Sequence, residues 1–173
     1  MHEWFFCIVP LLFIRFGVLR LLNEDALRRA ALFAPAIGKE KVALWFYQVS
    51  NSFIFVYLCF LRIQTDSYWF YIGLVIYALG LLLCLMSVLD FAKPEENGIN
   101  MTGFYQISRN PMYVGYFIFF LGCCVLTRSW LLVASLMVFQ VSGHWIIRSE
   151  ERWCIEKFGQ EYISYMDKVR RYI

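Results

Sequence analysis

Four stretches of this chain, residues 42–61, 67–89, 110–127 and 129–147, contain no Asp, Glu, Lys or Arg. Each approaches or exceeds the roughly 20 apolar residues that an α-helix needs to cross hydrocarbon. No water reaches backbone groups in lipid, so such segments must satisfy their own N–H and C=O groups as helices. Residues 4–22 are equally apolar but carry Arg15 and Arg20 in their second half, where long cationic side chains can snorkel to an interface. Pairing with Asp90 is a further role open to Arg15. The expected fold is an all-α integral membrane bundle of about five transmembrane helices, forming one domain over residues 1–173. Roughly 100 residues in such helices leave no room for a separate soluble domain of ordinary size.

The composition agrees, at 61% hydrophobic and 17% charged residues, against roughly 45–50% and about 25% for a soluble domain. Residues 4–22 lack a basic leader and a small-residue cleavage site, so they read as structure and not as a signal peptide. Six cysteines form no C-x-x-C pair and only His2 and His144 are present; neither a disulfide framework nor a metal site is indicated. A net charge of +3 is too small to argue for a nucleic-acid partner.

The cationic residues sort by loop. With five alternating spans, one side receives Arg28, Arg29, Lys39, Lys41, Lys93, Arg109, Arg148, Arg152, Lys157, Lys168, Arg170 and Arg171, and the other only Arg62 and Arg128. The positive-inside rule then puts the N-terminus outside and the C-terminal tail in the cytoplasm.

The third loop, residues 90–109, contains a turn signal at Glu96-Asn97-Gly98, and Ser108, Asn110 and Pro111 form a cap region for the fourth span. Only Thr127, Arg128 and Ser129 separate the fourth span from the fifth, which demands a tight hairpin with antiparallel arms. Tyr105, Arg109 and Asn110 must therefore meet Arg148, Glu150 and Glu151 at one membrane face. His144, Arg148 and Glu151 share a helix face by their spacing. In the tail, residues 148–173, Ile155, Phe158, Tyr162, Tyr165, Val169 and Tyr172 form one apolar stripe. It suits an amphipathic segment along the interface, broken into two at Gly159, that serves either as an anchor or as a cover for the bundle mouth.

The run Gly103-Phe-Tyr-Gln-Ile-Ser-Arg109-Asn-Pro111-Met-Tyr113-Val-Gly115, then a hairpin, then Glu150-Glu151 and Phe158-Gly159-Gln-Glu161-Tyr162-Ile-Ser-Tyr165, resembles the isoprenylcysteine carboxyl methyltransferase family and its small prokaryotic relatives. Phospholipid methyltransferases share a looser version. The resemblance covers about the C-terminal half. Its departure is Asn110, where the family usually has histidine, so a titratable imidazole is replaced by an amide.

The resemblance implies methyl transfer from S-adenosylmethionine to a lipophilic or membrane-delivered acceptor, with an isoprenylcysteine-type carboxylate the best guess. Carried over residue by residue, cofactor contacts fall on Asn97, Ile99, Asn100, Tyr105, Asn110, Pro111, Tyr113, Glu150 and Glu151. Arg109 and Glu151 take the catalytic positions, while His144 and Arg148 stand on the substrate side. The chemistry of these residue types is compatible. Carboxylates can hold the ammonium or ribose, a guanidinium can pair the cofactor's carboxylate, and tyrosine rings can face adenine or the sulfonium. A carboxylate acceptor needs no general base at pH 7; an amine does, and His144 is the candidate. Phospholipid, small-amine or thiol acceptors, a nicotinamide-dependent membrane reductase and a non-catalytic scaffold stay open. No G-x-G-x-x-G run marks a soluble-type nucleotide fold.

Overall fold

A computed structural model describes residues 4–31, 33–94 and 98–173. Among them every regular element is helical. The first helix, α1 (Trp4–Leu12), runs through a π-helical segment (Phe13–Val18) into α2 (Leu19–Leu22). Then follow α3 (Glu24–Ala31), α4 (Glu40–Leu58), α5 (Trp69–Phe91), a 3-10 turn (Gly103–Gln106), α6 (Pro111–Thr127), α7 (Trp130–Phe158) and α8 (Gln160–Lys168). Helices α5 and α7 are long and apolar enough to cross a membrane; α6 is shorter.

Two elements depart from expectation. The first loop contains a helix, α3, which starts on Glu24 and Asp25 and ends on Arg28 and Arg29, charges that complement the helix dipole. The stretch after residue 147 is not a separate tail. It continues α7 to Phe158, because residues 148–158 contain neither Gly nor Pro and consist largely of good helix formers. The turn signal at residues 96–98 cannot be compared, since Glu96 and Asn97 lie outside the described residues.

The short connection after α6 does reverse the chain. Arg128 takes the left-handed conformation (φ 51°, ψ 34°), and the Ser129 side chain accepts a hydrogen bond from the Leu132 N–H at the start of α7. Yet the two arms pack most extensively on other partners, α6 on α5 and α7 on α4. Tyr47 of α4 stacks on Phe139 of α7 with ring centroids 4.8 Å apart.

Glycine explains why α5 and α6 approach so closely. A Cβ at Gly80 of α5 would lie 2.3 Å from the Phe119 nitrogen, and one at Gly122 of α6 would lie 2.4 Å from the Tyr77 nitrogen. Backbone thus meets backbone, as in membrane helix pairs held by van der Waals packing across small residues. The fully buried rings of Phe119 and Phe120 complete this seam.

We expect Gly80→Ala and Gly122→Ala each to cost about 1–3 kcal/mol by forcing the backbones apart, read as a lower thermal midpoint in detergent. Gly143→Ala is the control. Its added Cβ would sit 3.6 Å from the Tyr47 ring, an ordinary contact, and its stability should be unchanged or slightly higher. Equal stability of all three variants would remove the seam as a determinant.

Candidate active site

The site forms where the start of α6 meets the far end of α7. Asp90, at the end of α5, accepts a 2.7 Å hydrogen bond from the Phe104 N–H. Gly103 beside it has φ +60°, and a Cβ there would lie 2.2 Å from Asp90 Oδ2. This junction sets the 3-10 turn and buries Tyr105, whose carbonyl accepts the Tyr165 hydroxyl at 2.5 Å. Burial pushes the Tyr105 phenol well above its ordinary pKa, so it stays a neutral donor.

Arg109 follows at the entrance of α6. Its Nε and Nη2 donate to Glu151 Oε1 at 3.0 and 2.8 Å, and its Nη1 donates to the carbonyls of Met166 and Val169 at 2.9 and 3.0 Å. Glu151 also receives Arg171, with Nε–Oε2 and Nη2–Oε2 distances of 3.0 and 2.7 Å. Asn110 Nδ2 donates to the Arg171 carbonyl at 3.2 Å. One turn into α6, the Tyr113 hydroxyl donates to Glu150 Oε1 at 3.0 Å. The adjacent carboxylates thus have different environments, Glu151 held by two guanidiniums and Glu150 by a phenol.

A cavity of about 440 Å³ opens between these residues and the N-terminal helices, within the size range of small-molecule sites. It is lined by Ile99, Asn100, Tyr105, Arg109, Asn110, Tyr113, Glu150 and Glu151, with Cys154, Phe158, Tyr162 and Tyr165. Arg15, Arg29, Phe33, Tyr47 and Tyr116 line it as well. Asn100 Oδ1 is buried without a hydrogen-bond partner among the described residues. That is costly for a carbonyl oxygen unless a ligand supplies the donor.

Of the residues the sequence singled out, the structure gathers Ile99, Asn100, Tyr105, Arg109, Asn110, Tyr113, Glu150 and Glu151 on the wall of this cavity. Pro111, buried at the first position of α6, serves the helix start and is not among the lining residues. His144 Nδ1 shares a 2.8 Å hydrogen bond with the Tyr172 hydroxyl. Arg148 is exposed with its guanidinium over the Trp145 ring at 5.2 Å; neither lines the cavity. Asn97 lies outside the described residues. Arg15 does not pair with Asp90. It donates to the Tyr116 hydroxyl of α6 and to the Ala30 carbonyl of α3; the π-helical segment lies against α5, on which α6 packs, and only the single turn of α2 separates it from α3. Sequence reasoning missed Arg29, Tyr47 and Tyr116 as lining residues, and Arg171 as second partner of Glu151. The one available signal was an arginine inside an apolar span, which is functional by default.

The sequence profile of the phospholipid methyltransferase family matches residues 68–161. The chain belongs to that family. The match takes in Tyr105, Arg109, Tyr113, Glu150 and Glu151, and leaves outside it the N-terminal wall of the cavity and the Arg171 partner of Glu151. The chain is 37% identical over 78 residues to protein-S-isoprenylcysteine O-methyltransferase of Saccharomyces cerevisiae, covering 44% of this chain and 33% of that protein. It is also 30% identical over 112 residues to steroid 5-alpha-reductase DET2 of Solanum lycopersicum, covering 57% of this chain and 41% of that protein. The chain therefore spans a third to two fifths of the length of these two relatives.

The cavity rim at residues 33–39 is tied down by charge. Arg152 pairs with Glu40 and donates to the Pro35 carbonyl at 2.9 Å, while Glu40 Oε2 accepts the Ile37 N–H at 2.9 Å. The hydrogen bond from Arg152 and that from Ile37 hold the Glu40 carboxyl below its ordinary value of 4.5. Its folded pKa is depressed, so the tie is fully present above the unfolded pKa and is lost as pH falls through the folded value. Glu40→Gln should raise deuterium uptake in residues 33–39 at neutral pH, after correction for intrinsic exchange. Acidification below the folded pKa of Glu40 should erase the difference from wild type; a difference that persists there would remove Glu40 as the tie.

Proposed function

We propose that this protein is an integral membrane methyltransferase that uses S-adenosylmethionine and acts on a lipophilic acceptor, an isoprenylcysteine-type carboxylate being the best-supported class. In this reading the stretch from α1 to α2 and helices α4, α5, α6 and α7 cross the membrane, with the N-terminus outside and the site at the cytoplasmic face. The observation that carries it is the unpartnered, buried Oδ1 of Asn100 on the wall of a cavity that also presents Glu150. Asn100 Oδ1 has no donor among the described residues and Glu150 receives one phenol, from Tyr113; the cofactor brings N–H donors and positive charge, so the residues fit it.

When bound, S-adenosylmethionine supplies a methyl group activated by a sulfonium. The residues of the chain do the rest. Asn100 and Glu150 can accept hydrogen bonds from the cofactor's amino groups, and Tyr113 holds Glu150 in place. The rings of Tyr47, Tyr105 and Tyr116 can shield the reacting atoms from water and offer π faces to a cation. Arg15 and Arg29 also line the cavity, and a guanidinium there favours an acceptor that carries negative charge. A carboxylate is ionised at pH 7 and needs no base. His144, the candidate base for an amine, is hydrogen-bonded to Tyr172 and is not among the lining residues, which supports the carboxylate over an amine acceptor.

Titration calorimetry of the purified protein with S-adenosylmethionine and its demethylated product tests this reading. Saturable binding is expected, weakened by about 1–3 kcal/mol in Asn100→Ala and in Glu150→Gln. Absence of binding in folded protein would sink it. Binding of a reduced nicotinamide dinucleotide instead would favour the reductase reading that the DET2 similarity supports. Methylation of a carboxylate should be flat above about pH 6, whereas methylation of an amine should rise with pH.

A further inference from the structure

Two neighbouring carboxylates face this site, and the structure treats them differently. Glu151 Oε1 receives Arg109 Nε, Arg109 Nη2 and Arg171 Nε, the last at 3.1 Å. Its Oε2 receives Arg171 Nε and Nη2. A carboxylate has about four lone-pair positions, so Glu151 has none left for a ligand. Its side chain and that of Arg109 are only 6% and 8% exposed, while that of Arg171 is 31% exposed.

The same guanidiniums bind the chain that follows α8. Arg109 Nη1 holds the carbonyls of Met166 and Val169, and its backbone N–H donates to the Arg170 carbonyl at 3.0 Å. The Arg171 carbonyl accepts from Ser108 Oγ at 3.3 Å and from Asn110 Nδ2 at 3.2 Å. Nine residues long, α8 is too short to be stable by itself. It joins α7 through Gly159, whose φ of 59° and ψ of −132° only glycine adopts readily. What α8 contributes is one side of the cavity, Tyr162 and Tyr165, packed on Ile99 next to Asn100.

We propose that Arg171 is a positioning residue: with Arg109 it closes on Glu151, latches residues 166–171 against the start of α6, and so holds α8 as a wall of the cavity. Glu150 is left as the carboxylate that faces a ligand. The inference rests on reading the cavity as the cofactor site, but the latch can be tested apart from any ligand.

Deuterium uptake of the full chain in detergent is the first measurement. Arg171→Ala and Glu151→Gln should each raise uptake in residues 98–101 and 160–169 and leave the α5–α6 seam protected. The double variant should show no more than either single one, as members of one unit do. Arg171→Lys should return part of the protection by keeping the charge. Glu150→Gln should leave uptake at residues 160–169 as in wild type. The second measurement is affinity for the demethylated cofactor. Arg171→Ala should lower it about tenfold or more through loss of the wall. Unchanged uptake at residues 160–169 in Arg171→Ala would overturn the latch, as would additive effects in the double variant. If the wild-type protein binds no cofactor, the functional reading fails, while the uptake measurement still decides the latch.

Discussion

The buried carboxylate of Glu151 is the interaction on which the site depends. It sits on the long helix α7 and is neutralised from two directions, by Arg109 at the start of α6 and by Arg171 beyond α8. A buried charge is tolerated only when it is paired and hydrogen-bonded, and removing one partner leaves an uncompensated charge in a low-dielectric region. Three segments far apart in sequence are thereby forced into one place. The entrance of α6 and the chain after α8 both take their positions from it.

This arrangement divides labour within the Glu150–Glu151 pair. Neighbours on a helix point about 100° apart, so one can be fully used by the protein while the other faces the cavity. Glu150 keeps a single phenolic partner, Tyr113. The cavity itself is shared between a part of the chain that matches the phospholipid methyltransferase family and a part that does not. Arg15, Arg29 and Tyr47 come from helices before residue 68, where the family match begins. Tyr105, Arg109, Tyr113, Tyr116, Glu150 and Glu151 come from the matched region, and Tyr162 and Tyr165 lie just beyond its end.

Much of the architecture was legible because charge-free runs of about 20 residues have few structural options. The short link at residues 127–129 made it a geometric expectation that Tyr105, Arg109 and Asn110 meet Glu150 and Glu151 at one face, and the 2.8 Å contact of Arg109 with Glu151 agrees; the pairing of Tyr113 with Glu150 was added by the structure. The stripe from Ile155 to Val169 was likewise readable from spacing, and it packs on Ile99. The continuation of α7 past residue 147 was not, since a rise in charge looks like a helix leaving the membrane while the backbone simply goes on. Arg171 carried no signal at all. One arginine among several in a basic tail looks like any other, and only the path of the chain after Gly159 brings it to Glu151.

The sequence by itself determined the helical class, the places of the long helices and the convergence of the α6 entrance with the α7 end, because hydrophobic runs and a short link constrain geometry locally. Only the tertiary structure decided which carboxylate is saturated, that Arg15 turns to Tyr116 and not to Asp90, and that α3 and α8 wall a single cavity. Those outcomes depend on contacts between residues up to about a hundred positions apart, whose directions are set by helix rotation and packing and leave no periodic trace in the chain.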